Sequence, residues 1–414
     1  VNGDAIVHAN TVNSESIFTF SNNIVRGKVR HGILAAYTVT SEHKLRGSIA
    51  NNSIYDCKTN GIYVQSGGNP TGEISITGNS VVCCGGEQVG DGAGNSGIHL
   101  SGDLGGTLSG NTLVNCGYDT SGVARGTGRG RGILLSFAEN WTVSGNTIVN
   151  SALHGIGVNE SGTLKNILIC GNTIVDAVDG LMYLGESHPD DRQVYVLDNT
   201  LTCLNIDSRG IYFYETNGNS DIIIKGNVIT GLKAGTNKSA ILWGVEKYKK
   251  VEISNNTFKN WDYALTSTNN ATNPNEDWAF GRCVYLDHNT YDNVTTPFNI
   301  RKAYIHSAVG AYNRFINTTP GFDSKLVPAS FLNGRLEGYF VGNLPNKKCR
   351  VGDRLKPLNV VDGDDYEWFV RSSDQPAATG FTVTSGNVFN DTAHGLSQNA
   401  VIRFTSGSLP TPLV

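Results

Sequence analysis

Apolar residues along this chain come in short alternating runs rather than in helical stripes. One phrase opens on glycine and alternates outward from it: Gly32-Ile33-Leu34, Gly61-Ile62-Tyr63-Val64, Gly97-Ile98-His99-Leu100, Gly132-Ile133-Leu134-Leu135, Gly155-Ile156-Gly157-Val158, Gly180-Leu181-Met182-Tyr183 and Gly210-Ile211-Tyr212-Phe213. Ala240-Ile241-Leu242-Trp243 and Ala264-Leu265 continue it. A second phrase interleaves with the first, an Asn followed by Ser or Thr and an apolar residue, as in Asn79-Ser80-Val81, Asn111-Thr112-Leu113, Asn146-Thr147-Ile148, Asn172-Thr173-Ile174 and Asn199-Thr200-Leu201. Period-2 alternation over four or five residues, bounded by Gly and Asn, predicts short strands.

The two phrases repeat every roughly 23 to 36 residues, the range of solenoid units whose insertions sit on loops. Strands this short bury their inward faces only by stacking on the next copy, and Asn and Gly tolerate the left-handed backbone of sharp corners. The pattern therefore predicts an all-β right-handed parallel β-helix, with the recurrent Asn as an internal ladder. The frames of a propeller or a leucine-rich repeat are absent. The phrases stop near Asn317, which gives three parts: a β-helix over 1–317, a connecting β module over 318–375 and a C-terminal β module over 376–414. The chain starts inside a strand-like phrase and stops without a finishing element, so it reads as a fragment of a longer protein.

Composition narrows the partners. A formal net charge of −4 gives no global field for nucleic acid or an anionic membrane. No apolar run approaches the roughly 18 residues that a bilayer span requires. Cys57, Cys84 and Cys116 each fall five residues after a repeat Asn, at a position that Ser151 and Ala177 also hold. They are expected as free thiols in a buried stack, made in a reducing cytosol. No Cys-x-x-Cys pair occurs, and neither a metal site nor a cofactor is expected.

The rungs resemble the pectate-lyase-like β-helices. Val351-Gly352-Asp353-Arg354 followed by Tyr366-Glu367-Trp368 is similar to modules that follow β-helices in phage and prophage proteins. Thr392-Ala393-His394-Gly395-Leu396 with Gly407-Ser408-Leu409-Pro410 resembles a repeated module of phage tail proteins. Together these resemble a bacteriophage tailspike. The resemblance implies a homotrimer made in the host cytoplasm and carried on the virion tail, joined to the tail or baseplate through an N-terminal region missing from this sequence. It also implies an enzyme that binds and cleaves bacterial surface polysaccharide, capsule or O-antigen.

Aligned on the glycine phrase, the outward positions hold Tyr63 and Gln65, His99 and Ser101, Leu134 and Ser136, Asn159, Met182, then Tyr212 and Tyr214. Just beyond the strands stand Glu160, Glu186, Glu215 and Glu246 on four consecutive rungs. Rungs about 4.8 Å apart set such carboxylates at one or two spacings. Those spacings bracket the roughly 5–5.5 Å of a retaining glycosidase and the 6.5–9.5 Å of an inverting one. A solvated corner would explain a lone Glu, but stacked like charges raise a pKa, as a general acid needs. Glu215 and Glu186 are the expected catalytic pair, with Glu246, Glu160 and Asp207 as alternates. Tyr212 and Tyr214 offer platforms for sugar rings. Arg209, His188, Arg129 and Arg131 are the expected polar substrate contacts, the last two from the stretch Arg125–Gly132, which reads as a flexible basic lip over an acidic sugar or simply as a soluble loop before the strand. Two alternatives stand beside hydrolysis. A lyase would use His99, His154 or His188 with Arg209, Arg131 or Lys247, and a non-catalytic receptor-binding spike would need none of the carboxylates.

Overall fold

A computed structural model describes residues 3–12, 16–39, 44–67, 71–87, 95–102, 105–125, 130–136, 139–158, 166–185, 192–204, 209–214, 220–233, 238–243, 250–267, 283–299, 308–309 and 313–318. Past these it describes the short strands 337–340, 354–357, 368–369, 382–384 and 388–390.

The chain winds as a right-handed parallel β-helix, each coil contributing one strand to each of three sheets of 11 strands. The first sheet gathers the glycine phrases, from β1 (Ile6–Val12) through β4 (His31–Val39), β7 (Asn60–Gly67), β10 (Ser96–Ser101), β13 (Arg131–Ser136), β16 (His154–Val158), β19 (Gly180–Gly185), β22 (Ile211–Tyr214) and β25 (Ser239–Trp243) onward. The third gathers the Asn phrases, such as β12 (Thr112–Cys116) and β15 (Thr147–Ser151). The second sheet lies between them, as in β14 (Trp141–Ser144) and β17 (Ile167–Cys170). Past the last coil strand, β33 (Arg314–Ile316), a small sheet and a hairpin follow.

The first sheet sends two columns of side chains inward, one of them running through Val64, Leu100, Leu135, Val158 and Phe213. Ile33, Ile62, Ile98, Ile133, Ile156, Met182, Ile211 and Ile241 form the other, all with 0% exposure. Burial of one such side chain contributes about 1.5–3 kcal/mol, so the stacked columns carry the fold. Cys57, Cys84, Cys116, Ser151 and Ala177 are buried at the corner after the third sheet, and the cysteines there are free thiols.

Two devices explain the repeated phrases. A Cβ on Gly97 would lie 2.6 Å from Cys116 Sγ and 2.8 Å from the Gly132 carbonyl oxygen, so glycine at this inner corner is a requirement of space. Gly97→Ala is expected to cost about 1–3 kcal/mol through overpacking. A urea midpoint unchanged from wild type would contradict that. The Asn phrase begins with a left-handed residue, such as Gly110 (φ 62°), Gly145 (φ 61°) or Asp198 (φ 54°), followed by the ladder Asn. That Asn points inward and gives both its backbone N–H and its Nδ2 to the Oδ1 of the next. Asn111 bonds Asn146 at 3.0 and 2.9 Å, and Asn146 bonds Asn172 at the same distances. The ladder runs in this way from Asn23 through Asn52, Asn79, Asn199, Asn227 and Asn256 to Asn289, whose backbone N–H donates to Asn313 Oδ1.

Candidate functional site on the first sheet

Outside the inward Ile column, the next residue of each strand of the first sheet faces out: Leu34, Tyr63, His99, Leu134, Gly157, Tyr183, Tyr212 and Leu242 pair in register. The expectation that Met182 faces outward is corrected here. His154 pairs with Gly180 and Gly157 with Tyr183, so this coil enters one residue late and Leu181 takes the inner corner. Leu181 fits there, fully buried, because both neighbouring corners are the glycines 155 and 210. Met182 is core, and Tyr183 is the outward residue that sequence alignment on Gly180 missed.

The outward column collects rings into two clusters. His31 meets Tyr63 at 5.1 Å between centroids, and Tyr63 stacks on His99 at 4.8 Å. Further along, His154 stacks on Tyr183 at 4.8 Å, and Tyr183 meets Tyr212 edge-on at 5.4 Å. Arg131 joins the two clusters: its Cδ would stand 3.0 Å from a Cβ on Gly157, so the missing side chain there leaves the groove in which the arginine stem lies. The Arg209 guanidinium lies over Tyr212 at 5.1 Å and donates from Nη1 to Asp179 Oδ1 at 2.9 Å.

His99 and His154 are neutral at pH 7. Burial, reinforced by the Arg131 charge, pushes His99 and His154 down to about 3. The other Asp179 oxygen stands 3.9 Å from His154 Nε2, too far to offset burial. His99 Nδ1 is buried with no hydrogen-bond partner, while its Nε2 lies 3.2 Å from Ser136 Oγ. Because folding lowers both pKa values below the free histidine value near 6.5, the unfolded chain binds more protons between that value and about 3. Stability contributed by keeping these rings neutral is complete above pH 6.5 and declines as pH falls. The urea midpoint should drop between pH 7 and 4.5, and the drop should shrink in H99Q/H154Q. An equal drop in the variant would contradict the assignment.

Several sequence-derived expectations can be placed. Tyr212, Arg209 and Arg131 come together on this face as described. Tyr214 is the last residue of β22, and its side chain lies outside the described residues, as do Glu160, Glu186, Glu215, Glu246, Asp207, His188, Arg129 and Lys247. The flexible basic lip is corrected at both of its ends. Arg125 pairs with Asp56 and with the Cys57 carbonyl inside a corner, and Arg131 is only 6% exposed. Arg125 is held by that ion pair, and Arg131 by its stem laid against Gly157. Asp179 and Tyr183 are additions. Shifting the frame to match Met182-x-Leu184 with Ile211-x-Phe213 would have revealed the tyrosine.

That shift also bears on the glutamates. Val158, Leu184 and Phe213 pair in register, and Glu160, Glu186 and Glu215 each follow their strand partner by two residues in sequence. Trp243 pairs with Phe213, and Glu246 follows it by three.

A family model described as a right handed beta helix region matches residues 5–202. No curated protein sequence is significantly similar to the chain. Among solved structures, a tailspike protein of Acinetobacter baumannii bacteriophage Fri1, a capsular polysaccharide depolymerase, is 11% identical with a TM-score of 0.39, covering 94% of this chain and 76% of its own. The Dettilon tailspike protein is 15% identical with a TM-score of 0.33, covering 73% of this chain and 61% of its own. The periplasmic alginate epimerase AlgG, as a double mutant, is 12% identical with a TM-score of 0.36, covering 71% and 77%. The family model thus matches the repeat over residues 5–202, and the strand pairing carries the same right-handed β-helix fold into the coils beyond them.

Proposed function

We propose that this protein is a tailspike depolymerase that hydrolyses glycosidic bonds of bacterial surface polysaccharide, capsule or O-antigen, along the outer face of its first sheet. The single observation that carries the reading is the register: three consecutive rungs place a Glu at the same sequence offset from paired residues, Glu160 from Val158, Glu186 from Leu184 and Glu215 from Phe213. Glu215 and Glu186 act as the general acid and the base or nucleophile, with Glu160, Glu246 and Asp207 as alternates. Like charges repeated rung after rung raise the pKa of one member, which keeps it protonated as an acid while its neighbour stays ionised. Tyr183 and Tyr212, on the strands that Glu186 and Glu215 follow in sequence, offer rings for a pyranose. The likeness of the C-terminal phrases to phage tail modules supports a homotrimer mounted on the virion tail.

A lyase is the second reading, favoured by one observation. His99 and His154 flank Arg131, which sets imidazole beside the charge neutraliser that proton abstraction next to a carboxylate requires. Size-exclusion chromatography of capsule and O-antigen preparations after incubation tests whether there is cleavage at all. Conversion of one polymer to short oligosaccharides is expected. Polymers of unchanged size across the panel, each nonetheless retained by the protein, would instead indicate a binding spike.

A further inference from the structure

We propose that Arg209, laid over Tyr212 and steered by Asp179, is a specificity residue that selects a sugar unit bearing a carboxylate, so that the polysaccharide is acidic. The inference rests on the depolymerase reading and names its substrate class. The ring ladder has an arginine at each end: Arg131 lies at one end of the His154–Tyr183 stack, and Arg209, paired with Asp179, lies at the other. The side chain of Arg209 is 29% exposed, whereas Arg131 is buried, so Arg209 is the cation that solvent and ligand reach.

Its geometry fits a ring with an anionic arm. A pyranose lying against Tyr183 and Tyr212 would have the guanidinium plane beside it, because that plane already lies over Tyr212. A guanidinium is a planar fork of five donors whose spacing matches the two oxygens of a carboxylate. Asp179 accepts from Nη1 and fixes the orientation of the fork, which lowers the entropy lost when a second carboxylate binds. Lysine in the same place would keep the charge and lose both the stack and the fork.

The experiment compares each polysaccharide that the protein binds with the same polymer after chemical reduction of its carboxyl groups to primary alcohols, which leaves linkage and backbone intact. Affinity is read by surface plasmon resonance and cleavage by oligosaccharide release. Wild type is expected to bind the native polymer roughly tenfold or more tighter than the reduced one, the scale of a charged hydrogen bond. Arg209→Gln should bind both forms equally weakly. Arg209→Lys should fall between. Asp179→Asn, which leaves the guanidinium in place, should lose part of the discrimination and so guards against a folding defect in the arginine variants. Wild type that treats native and reduced polymer alike, or Arg209→Gln that still separates them, overturns the proposal. Cleavage of a neutral polymer overturns it while leaving the depolymerase reading intact; no binding to any polymer overturns both.

Discussion

Asn146→Ala is expected to lower the stability of the β-helix by about 3–6 kcal/mol, seen as a large fall in the urea midpoint. The size follows from how many groups the side chain serves. Its Oδ1 accepts the backbone N–H and Nδ2 of Asn111, at 3.0 and 2.9 Å. Its Nδ2 donates to the Leu108 carbonyl and to Asn172 Oδ1, both at 2.9 Å. Asn146 is fully buried, as is Asn172, and Asn111 is 1% exposed, so alanine leaves donors and acceptors facing a dry interior. Each buried group orphaned in this way costs about 1–3 kcal/mol, and water entering the gap recovers part of the total. Asn146→Asp is a sharper probe. It keeps the acceptor but replaces the donating amide with a charge buried against the Leu108 and Asn172 oxygens, and is expected to be at least as damaging at neutral pH. A midpoint close to wild type for either variant would mean that the ladder is an ornament of the repeat rather than a support of it.

The second large effect concerns the carboxylates. Glu215→Gln and Glu186→Gln are each expected to reduce depolymerisation by about 10²–10⁴-fold, the range that a positioned acid or base supplies. Polysaccharide binding should persist, because glutamine keeps the size and hydrogen-bonding capacity of glutamate and removes only its proton chemistry. The two variants also separate roles. If Glu186 is a nucleophile, Glu186→Gln stops turnover before any glycosyl-enzyme intermediate forms, whereas loss of the acid in Glu215→Gln is milder on a substrate whose leaving group departs without a proton. Either variant within a few-fold of wild type would move the chemistry to Glu160, Glu246 or Asp207. Full activity in all five variants would remove the hydrolytic reading and leave the His99–Arg131–His154 arrangement as the stronger one.

Much of the fold could be read from the chain because its punctuation is physical. The glycine phrase marks a corner with no room for a Cβ, as at Gly97, and the Asn phrase marks a left-handed residue followed by a ladder member, as at Gly145-Asn146. The middle sheet was harder to see. Its strands, such as the one ending Val143-Ser144, run straight into the Asn phrase with no Gly or Pro between strand and corner except the left-handed residue itself. Their Val-x-Val and Ile-x-Ile alternation merges with the phrase that follows.

The site was read less completely. Leu181 fills a corner that glycine holds on both neighbouring coils, which displaced the outward frame by one residue and hid Tyr183 behind Met182. Polar neighbours from different coils were also invisible. Nothing local in Asp179 or Arg209 signals that they meet across a rung, because their contact depends on a separation of 30 residues set by the intervening loop lengths. The glutamates show the opposite case. Once the register is corrected, Glu186 and Glu215 fall at a common offset, so the shift that hid a tyrosine aligns the carboxylates.

Mass spectrometry of the oligosaccharides released from the polysaccharide that the protein cleaves tests the central claim most directly. Hydrolysis by the glutamate pair adds one water at every cleaved bond, so each product should weigh a whole number of repeat units plus one water, with no near-ultraviolet absorbance. Products that fall short by that water and carry an absorbing unsaturated end would contradict it.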